Sequence, residues 1–198
     1  MDQDYRKLFI ADSVWRNVSA SYKNLKPNRN FDHFDETDET KHECYKRLKQ
    51  RFNIPVEVIE QWIYPHYYNE NSVINYAWID YSKIVFEITD FEIGALKQIN
   101  VIEDYLDYVE CRKDSQPYDD FMCTKKDLEH WQTNNTWRVP PIILDVETLP
   151  TIPEFAEIKG PYQLVEGHSR LGYLLSLDKA EMLLKRKHEI FLMKYKKV

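Results

Sequence analysis

The run Val165-Glu166-Gly167-His168-Ser169-Arg170-Leu171 joins a β-prone stretch, Tyr162 to Glu166, to an apolar-periodic one, His168 to Leu177. Three of the four glycines, Gly160, Gly167 and Gly172, fall within thirteen residues here. A strand that enters a helix through glycine presents unpaired backbone N–H groups at the positive end of the helix dipole, an arrangement that favours a phosphate or carboxylate. Arg170, one turn in, adds a forked cation. Ser169 brings a hydroxyl, His168 a group that gains or loses a proton near neutral pH, and Glu166 a carboxylate at the mouth of the strand. The set reads as an anion site with acid and base groups attached. Its bland counterpart is a helix cap whose histidine, serine and arginine face water.

Outward from this joint the pattern is mixed α/β. Upstream, Pro140-Pro141 leads into Ile142-Ile143-Leu144-Asp145-Val146, a short apolar run bounded by prolines and read as a buried strand. Five of the nine prolines lie between Pro140 and Pro161, so that stretch is extended or turning. Lys83 to Phe91 alternates Ile84, Phe86 and Ile88 with Val85, Glu87 and Thr89, and reads as another strand. Phe91 to Val109 carries Ile93, Leu96, Ile99, Ile102 and Tyr105 at helical spacing, Cys111 to Pro117 reads as loop, and a short helix is expected around Thr124 to Trp131. Downstream, Leu171, Leu174, Leu175 and Leu177 define a helix. Lys179 to Lys185 suggests a second, and Glu189 to Lys194 a final strand.

The box and this order of elements resemble the ParB/sulfiredoxin superfamily, whose signature is glycine, two polar residues and arginine, and especially its ParB-like members with an Asp-Gly-His-His-Arg-type box. The strand Ile84 to Ile88, the proline-led strand, the strand before the box, the leucine-rich helix and the terminal strand follow the family's arrangement. The resemblance implies an α/β fold, a ParB/sulfiredoxin-like domain over residues 76–198 with a small mixed sheet and helices; residues 1–75, which it does not cover, read as an α-helical N-terminal extension. The resemblance further implies a bound nucleotide, CTP as in ParB proteins or ATP as in sulfiredoxin, with Mg²⁺ bridging its phosphates. Gly167, His168, Ser169 and Arg170 would line the phosphate site, and Pro140 and Pro141 would shape its edge. Some ParB-like relatives are kinases or nucleases. In that case Arg170 and the amides stabilise charge while Glu166 or His168 handles the proton.

The sequence departs from the family at two points. Sulfiredoxin chemistry needs a cysteine immediately after the glycine, where this chain has His168. ParB adds a helix-turn-helix downstream, whereas fewer than thirty residues follow Arg170 here. Neither sulfinic acid reduction nor chromosome partitioning is the expectation. The rival reading keeps the fold as a scaffold for a non-enzymatic interaction protein of accessory or immunity type, binding a protein partner through its helical N-terminal region.

That region reads as helices. Tyr5, Leu8, Phe9, Val14, Trp15, Val18, Tyr22 and Leu25 recur at helical intervals, the stretch Phe31 to Thr40 is an acidic loop, and a second helix is expected from Asp38 or Thr40 through Phe52. Pro55 suits the first turn of a third helix that Pro65 ends. The dense aromatics from Tyr64 to Tyr81 fit either a base-stacking platform or internal packing, and the scarcity of Lys and Arg beside them favours packing.

Thirty-three acidic against 27 basic residues give a formal charge of −6, which argues against a broad electrostatic grip on nucleic acid. The basic end Lys185-Arg186-Lys187-His188 could still touch nucleic acid, an acidic partner or the acidic loop. Glu87, Asp90 and Glu92 could offer carboxylates to the box. Cys44, Cys111 and Cys123 show neither a disulfide nor a zinc spacing, His130 and His188 no ligand spacing, so no metal site is expected from side chains alone. Without an apolar run of bilayer length or a signal peptide, the chain reads as a cytoplasmic, soluble protein with no membrane partner.

Overall fold

The computed structural model describes residues 15–29 and 38–196. The chain divides into two compact units, one holding residues 1–86, 150–157 and 195–198, the other 87–149 and 158–194. Among the described residues no helix is long and apolar enough to cross a membrane.

The first unit is helical. Its described part begins at Trp15, so the expected N-terminal helix lies mostly outside the described residues, as does most of the acidic loop. What is described is not one continuous helix. Ser19 leaves helical geometry, and its hydroxyl caps α1 (Ala20–Lys23) by accepting from the Tyr22 amide at 3.0 Å. Thr40 and Glu43 form a capping box at the start of α2 (Lys41–Leu48). α3 (Val56–Val58), a π turn (Ile59–Ile63) and α4 (Tyr64–His66) then follow without a break. Pro65 lacks the N–H that would close an α turn onto Gln61. The backbone widens just before it, and the Tyr64 amide reaches back to the Ile59 carbonyl.

Around α5 (Glu70–Tyr76) the aromatics prove to be core. Tyr67, Tyr68, Tyr76 and Tyr81 are all buried; Tyr22 stacks on Tyr67 with centroids 4.8 Å apart, and its phenol donates to the Tyr67 carbonyl. Burial holds the Tyr22 and Tyr81 phenols well above the ordinary tyrosine range. These rings pack rather than offer a stacking platform.

A four-stranded mixed sheet follows the order β1 (Ile84–Glu92), β4 (Lys187–Tyr195), β2 (Ile142–Asp145), β3 (Tyr162–Glu166). β2 runs parallel to β4, pairing Ile143 with Leu192, and antiparallel to β3, pairing Ile143 with Leu164. Ile142, Ile143 and Leu144 are fully buried and sit between two partners, which is why β2 reads as an unbroken apolar run rather than an alternating one. Three of the four strands match the sequence reading closely, β3 residue for residue.

The expected helix from Phe91 to Val109 is instead two. α6 (Ile93–Leu96) stops after one turn, and α7 (Glu103–Lys113) begins beyond it. Between them Asn100 bridges to Gln163 of β3, its amide donating to the Tyr162 carbonyl and its side chain reaching the carbonyls of Lys159 and Gly160. A polar side chain that satisfies a turn's carbonyls outcompetes the helical register. The helix near Thr124 is α8 (Lys125–Asn134), capped by Thr124 and ended by Asn135 in the left-handed region at φ 54°. The leucine-rich helix is α9 (His168–Lys179). Lys179 to Lys185 forms no second helix, since Glu181 turns the chain with φ 53°. Trp131, Trp137, Leu164, Leu171, Tyr173, Leu174, Leu177 and Ile190 fill the core of this second unit.

Candidate functional site

β3 delivers Glu166 to the rim, and Gly167 makes the corner. Its φ of 110° lies where side-chain-bearing residues are strained, and a Cβ there would stand 2.5 Å from Cβ of Pro141. α9 opens at once: the Leu171 amide bonds the Gly167 carbonyl at 2.9 Å, and no side chain caps the helix from the Gly167 position. The corner is a strand-to-helix turn through glycine, with Pro141 lying directly against it.

The box side chains are each engaged. Arg170 donates from Nη1 to the Val139 carbonyl at 3.2 Å, and its Nη2 lies 3.7 Å from Glu166 Oε1. Burial depresses the guanidinium's pKa, Glu166 and Asp127 raise it, and Arg138 lowers it further. The group is thus a largely buried cation compensated by two carboxylates. Ser169 shares a 2.7 Å hydrogen bond with the phenol of Tyr108, from α7. His168 is buried, its ring 4.3 Å from that of Tyr105.

Four contributors were not legible in the sequence: Tyr105 and Tyr108, one turn apart on α7, and the pair Asp127–Arg138, joined at 2.8 Å. Asp127 accepts from the Thr124 cap as well, and burial pushes its pKa up while these bonds to Thr124 and Arg138 bring it net below the ordinary range. An i, i+3 tyrosine pair on a helix carries no motif. Only the packing of α7 on α9 reveals it. There Gly172 allows the contact, since a Cβ on it would meet Arg112 Cβ at 2.4 Å and the Val109 carbonyl at 2.8 Å.

Glu87 and Glu92, which the sequence offered to the box, pair elsewhere, with Lys194 at 2.6 Å and Arg186 at 3.3 Å. Among the described residues no three His, Cys, Asp or Glu side chains converge as metal ligands. Cys44, Cys111 and Cys123 are free thiols. Among the described residues of this unit, one cavity of about 300 Å³ lies by Ser115, Ser176 and Lys179 and another by Arg138 and Lys185; neither of these is lined by a residue of the box. Compared with known protein families, curated proteins and solved structures, the chain matches none.

Proposed function

We propose that the chain binds a phosphate-bearing ligand of the nucleotide class at the first turn of α9. The observation that carries this reading is the Gly167 corner, where a strand ends and a twelve-residue helix begins with a left-handed glycine and no side-chain cap from that residue. The amides of that turn, the Ser169 hydroxyl and Arg170 would hold the phosphate, with Pro141 as one wall. A bound phosphate would take over the guanidinium face now set against Glu166, whose 3.7 Å separation is looser than a close ion pair. Mg²⁺ would ride on the phosphates of a CTP or ATP, with Glu166 the nearest carboxylate of the box. If phosphoryl transfer or phosphodiester cleavage occurs there, Glu166 or His168 would handle the proton.

A second reading has its own support. Arg170, Ser169 and His168 are already partnered inside the fold, as in a structural joint of a non-enzymatic interaction protein. Thermal unfolding with CTP, ATP, GTP or ADP, each with Mg²⁺, separates the two. The phosphate reading expects an upward shift of several degrees near a hundredfold excess over Kd, reduced in Ser169→Ala and lost in Arg170→Gln. An unchanged midpoint with all four nucleotides leaves the scaffold reading.

A further inference from the structure

The basic end of the sequence, Lys185 to His188, finds a use apart from the box. We propose that the cleft it lines with Arg138 is a binding site for a small phosphomonoester bearing hydroxyl groups, a sugar phosphate or a mononucleotide.

The cleft has a volume of about 300 Å³, at the lower end of small-molecule sites. Three basic side chains, Arg138, Lys185 and Lys187, line it. Arg138 spends Nε on Asp127 at 2.8 Å, which leaves its two terminal amino groups for another acceptor. Lys185 and Lys187 form no ion pair among the described residues. Asp90 and Glu189 also line the cleft and stand outside ion-pair distance of those lysines, so the opposite charges have not neutralised one another. Such a lining suits one compact anion on the cationic side and hydrogen-bond donors, such as sugar hydroxyls, on the carboxylate side. A ligand with anionic groups spread along its length would meet Asp90 and Glu189 and be repelled.

The wall behind is fixed in advance. Asn135 turns the chain out of α8 through its left-handed conformation, and Thr136 then bonds His188 Nδ1 at 2.8 Å. Trp137 donates to the Glu189 carbonyl at 2.6 Å and packs on the His188 ring at 5.3 Å. Preorganisation of this kind lowers the ordering cost of binding.

Titration of the full chain with inorganic phosphate, ribose, ribose 5-phosphate and AMP, followed by calorimetry and the Trp137 indole N–H resonance, tests the assignment. Ribose 5-phosphate is expected to bind at least tenfold tighter than phosphate or ribose. Lys185→Gln with Lys187→Gln, both exposed positions, lowers that affinity at least tenfold. Asp90→Asn with Glu189→Gln removes the advantage over phosphate and leaves phosphate binding intact. AMP binding more tightly than ribose 5-phosphate places a base in the cleft, and equal binding assigns it to the sugar phosphate; either supports the site. The proposal is overturned if the native chain binds none of the four, if the double lysine variant binds as the native chain does, or if Ser169→Ala, at the box, weakens binding.

Discussion

Pro141 occupies the space that a side chain on Gly167 would need. A Cβ there would lie 2.5 Å from the proline's Cβ and 3.1 Å from Nη2 of Arg170, on a backbone at φ 110°. Gly167→Ala therefore combines left-handed strain with a clash against a ring that cannot rotate away, and should cost about 3 kcal/mol. Gly94→Ala is the contrast: nothing lies within 4 Å of its Cβ position, the residue is helical, and alanine should stabilise by about 0.5–1 kcal/mol. Urea unfolding of the two variants gives shifts of opposite sign. Equal shifts would show that the corner is not constrained.

Gly172→Ala should also destabilise, by about 2–3 kcal/mol, by forcing α7 away from α9 at Arg112 and Val109. The same displacement separates Tyr108 from Ser169, now 2.7 Å apart. Denaturant midpoints of Gly172→Ala and of Tyr108→Phe, alone and combined, check this. Once the helices are apart, losing the phenol should cost less than it does in the native background.

His188 gives the second unit a pH dependence. Burial pushes its pKa down to about 4, opposed by the Lys185 carbonyl and by Asp90. Between the ordinary histidine value and about 4 the unfolded chain binds a proton that the folded chain refuses, so stability is full above that window and is lost as pH falls through it. The effect amounts to at most about 3 kcal/mol. Chemical unfolding of native protein and His188→Gln at pH 7 and pH 5 reads it as a difference in slope, and parallel slopes would refute it.

Glu39 supplies an acid-sensitive contact in the first unit. Burial raises its pKa, but two hydrogen bonds from Arg47, at 2.7 and 2.8 Å, and one from the Asn28 amide outweigh this and leave it lowered. Its stabilising share is present above the ordinary carboxylate pKa and disappears as pH falls through the depressed folded value. Arg47→Met should lose about 1–2 kcal/mol at neutral pH and little near pH 3, with the thermal midpoint as the readout.

The strands and α9 were legible because their signals are local: prolines and glycines punctuate them, and β2 is apolar enough to need cover on both faces. The break between α6 and α7 was not. Ile93, Leu96, Ile99, Ile102 and Tyr105 keep helical spacing across it, while the decision is taken by Asn100 bonding a turn some sixty residues away. The box followed the same division. Its glycine corner could be read from Gly167 alone, whereas the partners of Ser169 and Arg170 come from Tyr108, Val139 and the Asp127–Arg138 pair, which only tertiary packing brings near.

β1 ends one side of the sheet, and its Glu87, Asp90 and Glu92 are exposed along that margin. Unpaired backbone on an outer strand is a template for any extended chain that meets it. Glu87 and Glu92 are balanced by Lys194 and Arg186, so two molecules approaching margin to margin would set chiefly their Asp90 carboxylates against each other, a repulsion that works against growth of this small sheet by self-association.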